Sequence, residues 1–261
     1  MNNPDVWNKI WGDTSSENDF PFWVRREIKG VRGRKILVYL NKHLGSSHGI
    51  KTVEVGSGLG VYSFILAHQG AEVTLMDYSQ EALSLAERNF SREGVKAAFL
   101  LRDALDVPSS PRQEFDLAMS FGTVEHFEGE KRFLIAKAHF DLVRPGGLVI
   151  ISVPNRLFFP HEILNFFLHK INKWPLGYER AFSRSELLEL AGRIGLENVE
   201  IGGSAFITDF FRYIFVFAST NFFKRFFRTL SRQVYFNDRA SLFDDLFGAD
   251  IFLMGCKPFS V

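Results

Sequence analysis

The chain has 261 residues, 31 Lys and Arg against 30 Asp and Glu, and 46% hydrophobic residues. That size suits an α/β domain with modest elaboration, and the even charge balance speaks against a dedicated nucleic-acid binder. A charged fraction of 23% beside 15% aromatics excludes a disordered chain, and the single cysteine, Cys256, excludes a disulfide framework or a four-cysteine zinc site.

Residues 1–5 show no basic stretch leading into an apolar one, so no signal peptide is expected. The longest uncharged stretch of the apolar C-terminal part, 213–223, has 11 residues, short of the roughly 20 that cross a bilayer. A cytoplasmic protein is expected. Residues 1–48 read as an N-terminal helical extension with Trp7 and Trp11 near its start. Its basic run, Arg25, Arg26, Lys29, Arg32, Arg34 and Lys35, is opposed only by Glu27. A solvated helix face is the ordinary expectation for such a run, and a lid or anion-binding edge the functional one.

From residue 51, short apolar or β-branched runs at 52–55, 72–76, 97–101, 115–120 and 148–153 alternate with helical stretches at 61–68, 80–90 and 125–143. Such runs suit strands buried on both faces. Ser79 is placed to cap the second helix and Gly94 to stop it, while Pro145-Gly146-Gly147 is expected to end the third. The alternation predicts a doubly wound α/β fold around a mostly parallel sheet. An inserted helix is expected over 160–174. Ser183-Arg184-Ser185-Glu186 is a capping box opening a helix over 187–194 that Gly195 ends. Strands are expected at 197–201 and 251–256. Between them lies a Phe-rich insertion, 204–247, expected to be mainly helical; nine of the chain's 29 Phe fall between positions 206 and 227.

The stretch Val53-Glu54-Val55-Gly56-Ser57-Gly58-Leu59-Gly60 leaves a predicted strand and enters a predicted helix. Its glycines let the backbone turn tightly and approach a ligand, at the strand end where open α/β sheets bind. A dinucleotide fingerprint needs glycine at position 61, where Val61 stands, and no Gly-Lys-Ser/Thr follows to make a P-loop. The acid Glu54 sits badly beside a pyrophosphate but suits a ligand with a cationic amine. The next strand ends Met76-Asp77-Tyr78, offering an acid for two ribose hydroxyls and a ring for an adenine face. The third ends Leu101-Arg102-Asp103-Ala104, where a carboxylate can accept from an adenine amino group.

With Phe115-Asp116-Leu117-Ala118-Met119-Ser120 and Arg144-Pro145-Gly146-Gly147 in the same order, the sequence resembles the class I S-adenosylmethionine-dependent methyltransferases, in the broad group of quinone and other small-molecule methyltransferases. The resemblance covers about residues 50–155, with a looser match to the terminal strand. It implies one Rossmann-like methyltransferase domain over 1–261, with a seven-stranded sheet whose last strand is antiparallel. Its cofactor-binding core would span 49–155, with substrate-side insertions at 156–182 and 204–247. The implied cofactor is S-adenosylmethionine, leaving S-adenosylhomocysteine. Gly56, Ser57, Gly58 and Gly60 would wrap the methionine, with Glu54 near its amino group. Asp77 would hold the ribose, Tyr78 would pack on the adenine, and Asp103 and Ala104 would meet its edge. Ser120 and Phe121 would face the sulfonium.

Methyl transfer asks mainly for alignment, which can supply roughly 7–11 kcal/mol; a base is needed only for an acceptor that starts protonated. His126, in Gly122-Thr123-Val124-Glu125-His126-Phe127, is the candidate base, with packing beneath the cofactor as its alternative. Some relatives complete a metal site with a glutamate where this chain has Gly122, so no metal is expected. The chain lacks an Asn/Asp-Pro-Pro-Tyr/Phe loop after the fourth strand and a cysteine near it, so DNA is not an expected target. An oxygen or nitrogen of a small or lipid-linked acceptor remains, the oxygen preferred, and Tyr178 and Arg180 are candidate acceptor contacts. No obligate protein partner is expected. An RNA methyltransferase, suggested by the basic run, and a non-catalytic S-adenosylmethionine-binding protein are the alternatives. Between Phe210 and Asn237 five basic residues and no acid accompany the phenylalanines. Residues 205–232 are therefore expected either to line the core and pocket or to rest on the inner membrane face.

Overall fold

The alternating runs form a sheet in the order β3-β2-β1-β4-β5-β7-β6, built from β1 (Lys51–Val55), β2 (Glu72–Asp77), β3 (Ala98–Leu101), β4 (Phe115–Phe121), β5 (Val143–Pro154), β6 (Glu197–Ser204) and β7 (Asp250–Cys256). The structure is a computed structural model and describes residues 4–12, 20–106, 114–171, 174, 176–210 and 240–259. Strands β1 to β5 pair in parallel. Strand β7 runs antiparallel to both β5 and β6, as the resemblance implied. The strand order reverses between β1 and β4, which opens a crevice at their carboxyl ends.

Helices α1 (Pro4–Gly12), α2 (Phe20–Lys29), α3 (Val31–Leu44), α4 (Val61–His68), α5 (Gln80–Arg92), α6 (Glu130–Leu142), α7 (Phe159–Lys170), α8 (Arg184–Ile194) and α9 (Leu242–Phe247) surround the sheet. Successive strand residues serve opposite layers. Leu117 and Met119, Leu148 and Ile150, and Phe252 and Met254 pack toward α3, α4 and α5. Val53 and Val55, Val149 and Ile151, and Ile251 and Leu253 pack toward α6 and α8. Strands covered on both sides need no polar face, which is why they read as uniform apolar runs.

Four expectations are corrected. Strand β3 is not buried on both faces: it is the sheet edge, and Leu100 and Leu101 are 37% and 54% exposed. The helix expected over 125–143 begins only at Glu130, because Gly129 at φ +57 separates it from a 3-10 turn, Val124–His126. That helix ends at Leu142, ahead of Pro145-Gly146-Gly147 as expected, but β5 begins at Val143, five residues before its expected start, and takes those three residues in. There the β4–β5 register shifts between Phe115 and Leu117, and the Gly146 amide donates to Lys257 O at 2.9 Å. Strand β6 runs three residues past its expected end, to Ser204, because Gly202 and Gly203 let neighbours cross it closely. A Cβ on Gly203 would lie 1.9 Å from Asp244 O of α9.

The capping box holds: Ser183 Oγ accepts from Glu186 N–H, Glu186 accepts from Ser183 N–H, and Gly195 closes α8 at φ +87. Among the described residues no helix is long and apolar enough to cross a membrane. Residues 206–210 are helical and α9 forms the far end of the Phe-rich insertion; its basic stretch, 211–239, lies outside the described residues.

Candidate active site

A cavity of about 390 Å³ opens at the carboxyl ends of β1, β2 and β4. Its first wall is the loop from β1 into α4. Gly56, Gly58 and Gly60 have φ of +62, +50 and +67, conformations that any side chain would strain. The Gly56 and Ser57 amides donate to Met76 O at 2.8 and 3.2 Å, which folds the loop over the end of β2. Ser57 Oγ is buried on this wall and has no partner among the described residues.

Two buried acids brace the loop. Asp77 accepts from the Gly58 amide through Oδ2 and from the Ser79 amide through Oδ1, both at 2.9 Å. Burial raises its carboxyl above the ordinary value, against those hydrogen bonds. Glu54 accepts from Ser63 N–H at 2.9 Å and Ser63 Oγ–H at 2.6 Å through one oxygen, and burial pushes its pKa up to about 7. Tyr78, Asp103 and Ala104 continue the wall beyond Asp77.

The opposite wall is aromatic. Phe121 stacks on Tyr62 with centroids 3.7 Å apart and planes at 12°. Arg32 lies 5.7 Å from both ring centroids. Its guanidinium clasps both oxygens of Glu27, at 2.8 and 3.1 Å, and reaches Asp250 Oδ2 at 3.2 Å, while Tyr62 Oη–H donates to Glu27 at 2.5 Å. Burial would raise the Glu27 carboxyl, but Arg32 and Arg26 outweigh it and hold it at about 2.

Arg26, Arg32 and Lys35 of the basic run are thus not on a solvated face, whereas Arg25 and Lys29 are exposed. Arg32 pairs with Glu27 and Asp250, Arg26 lies 3.7 Å from Asp209, and Lys35 lies 2.7 Å from Asp245. These pairs tie α2 to the helical residues 206–210 and α3 to β7 and α9.

The extension also roofs the cavity. Trp7, Trp11 and Trp23 line it. Trp11 lies so close to Gly58 that a Cβ there would meet its ring at 2.8 Å, and Ser79 Oγ–H donates to Asn8 of α1 at 2.7 Å. The tryptophan roof is not legible in the sequence, and of the Glu27–Arg32–Tyr62 group only the basic run around Arg32 is, as the alternative of a lid or anion-binding edge. The lone acid within a basic run was the available signal for the second.

His126 borders the cavity in the 3-10 turn after β4, buried, its ring centroid 4.8 Å from that of Trp7 with the planes at 75°. Its Nδ1 lies 2.9 Å from Tyr178 O. A carbonyl only accepts, so Nδ1 carries the proton and Nε2 is the acceptor nitrogen of the neutral ring. Burial lowers its pKa, against the Tyr178 contact and Glu179.

Of the expected site residues, Glu54, Gly56, Ser57, Gly58, Gly60, Asp77, Tyr78, Asp103, Ala104, Phe121 and His126 line this one cavity. Ser120 does not. It alternates with Phe121 along β4, so its fully buried side chain points into the other layer. Among the described residues no three His, Cys, Asp or Glu are grouped to hold a metal ion.

Residues 53–147 match the family described as "Methyltransferase domain". The chain is 29% identical over 200 residues to a ubiquinone biosynthesis O-methyltransferase of Aromatoleum aromaticum, covering 75% of this chain and 81% of the relative. It is 28% identical over 200 residues to the one of an Azoarcus species, with the same coverage. The magnesium protoporphyrin IX methyltransferase of Synechocystis, solved with bound SAH, superposes with a TM-score of 0.58 at 16% identity, covering 97% of this chain and 93% of that one. A phosphoethanolamine N-methyltransferase of Haemonchus contortus, solved with S-adenosyl-L-methionine, gives 0.59 at 15% identity, covering 96% and 60%.

Proposed function

With this chain being a class I S-adenosylmethionine-dependent methyltransferase, we propose that it moves the methyl group to an oxygen of a small acceptor, hydrophobic or lipid-linked. The observation that carries the reading is His126. With its proton held on Nδ1 by Tyr178 O, it offers an acceptor nitrogen at the cavity wall, which a hydroxyl acceptor needs more than an amine does. The names of the ubiquinone biosynthesis O-methyltransferases among its relatives support the same acceptor class.

Bound S-adenosylmethionine supplies a methyl group on a positive sulfur that is already a good leaving group. The buried Ser57 Oγ, without a partner among the described residues and set in a loop of three left-handed glycines, fits such a ligand. We assign Gly56, Ser57, Gly58 and Gly60 to the methionine portion, Glu54 to its amino group and Asp77 to the ribose. Tyr78, Asp103 and Ala104 take the adenine, and Phe121 the methyl side. Trp7, Trp11 and Trp23 exclude water, and His126 Nε2 takes the acceptor's hydroxyl proton.

The protein is assigned to the cytoplasm, with the Phe-rich insertion meeting the inner membrane face to reach a hydrophobic acceptor. In support, Leu242 and Phe243 of α9 and Phe166 and Phe167 of α7 are more than half exposed. Methyl-labelled cofactor incubated with lipid, polar and RNA extracts tests the reading. Label should enter an oxygen-methylated lipid or small molecule, and should still do so after thorough chelation. Label confined to RNA or to amines contradicts it.

A further inference from the structure

Behind the Glu27–Arg32 wall of the reaction cavity lies a second, much smaller cavity of about 20 Å³. Arg26, Glu27 and Arg32 line both. The far side of the small cavity includes Ser204, Thr208 and Asp250. Ser204 and Asp250 are register partners at the facing ends of β6 and β7. Ala205, at φ +65, turns the chain out of β6 into the helical residues 206–210, and Thr208 of that turn comes back onto the cavity that Ser204 lines. Ser204 and Thr208 are each 1% exposed, and neither Ser204 Oγ nor Thr208 Oγ1 has a hydrogen-bond partner among the described residues.

A buried hydroxyl without a partner is costly and uncommon, so two of them on one cavity point to a shared guest. Volume limits what the guest can be. A water needs about 10–15 Å³ of such space, and 20 Å³ leaves no room for an organic group. The lining carries both signs, Arg26 and Arg32 against Glu27 and Asp250, so it singles out neither an anion nor a metal cation. Water donates and accepts. It serves both hydroxyls whichever way they turn and keeps bonds for the polar groups beside them.

We propose that this cavity is a site for one water molecule bridging Ser204 Oγ and Thr208 Oγ1, and that the water pins the first turn of the Phe-rich insertion to the wall of the reaction cavity. It acts beside three direct ties of that turn. The Phe206 amide donates to Asp244 Oδ1 at 3.0 Å, the Asp209 amide donates to Ala205 O at 3.0 Å, and Arg26 lies 3.7 Å from Asp209. The site owes nothing to the identity of the methyl acceptor.

A crystal structure of the full chain that resolves ordered waters tests the site. Density for one water is expected about 2.5–3.0 Å from both hydroxyl oxygens. A peak ringed by about six oxygens at roughly 2.4 Å marks a metal cation instead, and hydroxyls turned onto protein groups with no density between them mark a dry cavity; either result overturns the proposal. Native-state hydrogen exchange then reads the pin. Thr208→Val keeps the shape and removes the hydroxyl, and the Phe206 and Asp209 amides should exchange at least about tenfold faster while those of α8 stay within about twofold. Ser204→Ala should do the same, and the double variant should add less than about twofold, because one water is lost only once. Unchanged exchange at Phe206 and Asp209 in Thr208→Val, or effects that multiply in the double variant, overturns the pin. If neither variant folds, the density in the wild-type crystal decides the matter.

Discussion

The Gly58 amide donates to Asp77 Oδ2 at 2.9 Å, so the carboxylate at the tip of β2 holds the glycine loop leaving β1. Its other oxygen takes the Ser79 amide, so the same side chain sets the start of α5.

Asp77→Ala therefore leaves two buried amides unpartnered, at about 1–3 kcal/mol each, and removes the proposed ribose ligand. Affinity for S-adenosylhomocysteine should fall at least tenfold by calorimetry. An unchanged affinity would show that the ribose lies elsewhere.

Glu54 makes stability depend on pH. Burial raises its pKa from 4.5 to about 7, with the Ser63 hydrogen bonds opposing and Asp77 adding. A carboxyl raised in the fold favours its protonated form there. Its contribution is complete below pH 4.5 and is lost as pH climbs through 7. The difference amounts to about 3 kcal/mol. Glu54→Gln stays neutral at every pH, so it should melt near the wild type at about pH 5 and above it at about pH 8. A gap that does not change with pH would remove Glu54 as the titrating group.

Arg32 ties α3 to Glu27, Tyr62 and Asp250. Arg32→Met strands the buried Glu27 and the half-buried Asp250, and breaking a buried pair from one side typically costs about 3–5 kcal/mol. The urea midpoint should drop accordingly, with little dependence on salt, since buried pairs are weakly screened. A loss below about 1 kcal/mol would mark the pair as no stronger than a surface bridge.

What could be read in the sequence was local. The run Glu54 to Gly60 and the Ser183–Glu186 box carry their geometry within a few residues, and the structure forms the first into the loop between β1 and α4 and the second into the cap of α8. Arg32 and Asp250 stand 218 positions apart, and Trp11 meets Gly58 across a separate helix, so no spacing announces either contact. The early start of β5 at Val143 is not legible, because a shifted β-register takes in Pro145-Gly146-Gly147, residues that otherwise only mark the end of a helix. Strand alternation alone sends Ser120 and Phe121 to opposite faces, so only Phe121 can meet the cavity.

His126 should act on the acceptor and not on the cofactor. His126→Ala is expected to lower kcat by about 100- to 10,000-fold while S-adenosylhomocysteine affinity stays within about twofold, the bound that separates a base from a cofactor wall. Because burial lowers its pKa, the acidic limb of kcat/KM should fall below the usual histidine value of about 6.5. A kcat within fivefold of wild type would leave His126 as packing beneath the cofactor.

Calorimetric titration of the purified protein with S-adenosylmethionine, alongside NADH, tests most directly whether the cleft between the glycine loop and Asp77 takes a sulfonium nucleoside. One-to-one binding of S-adenosylmethionine is expected, weakened at least tenfold by Gly58→Ala, whose methyl would meet Trp11 at 2.8 Å in a backbone of φ +50. NADH should not bind. Binding of NADH in place of S-adenosylmethionine, or affinity untouched by Gly58→Ala, contradicts this placement of the cofactor.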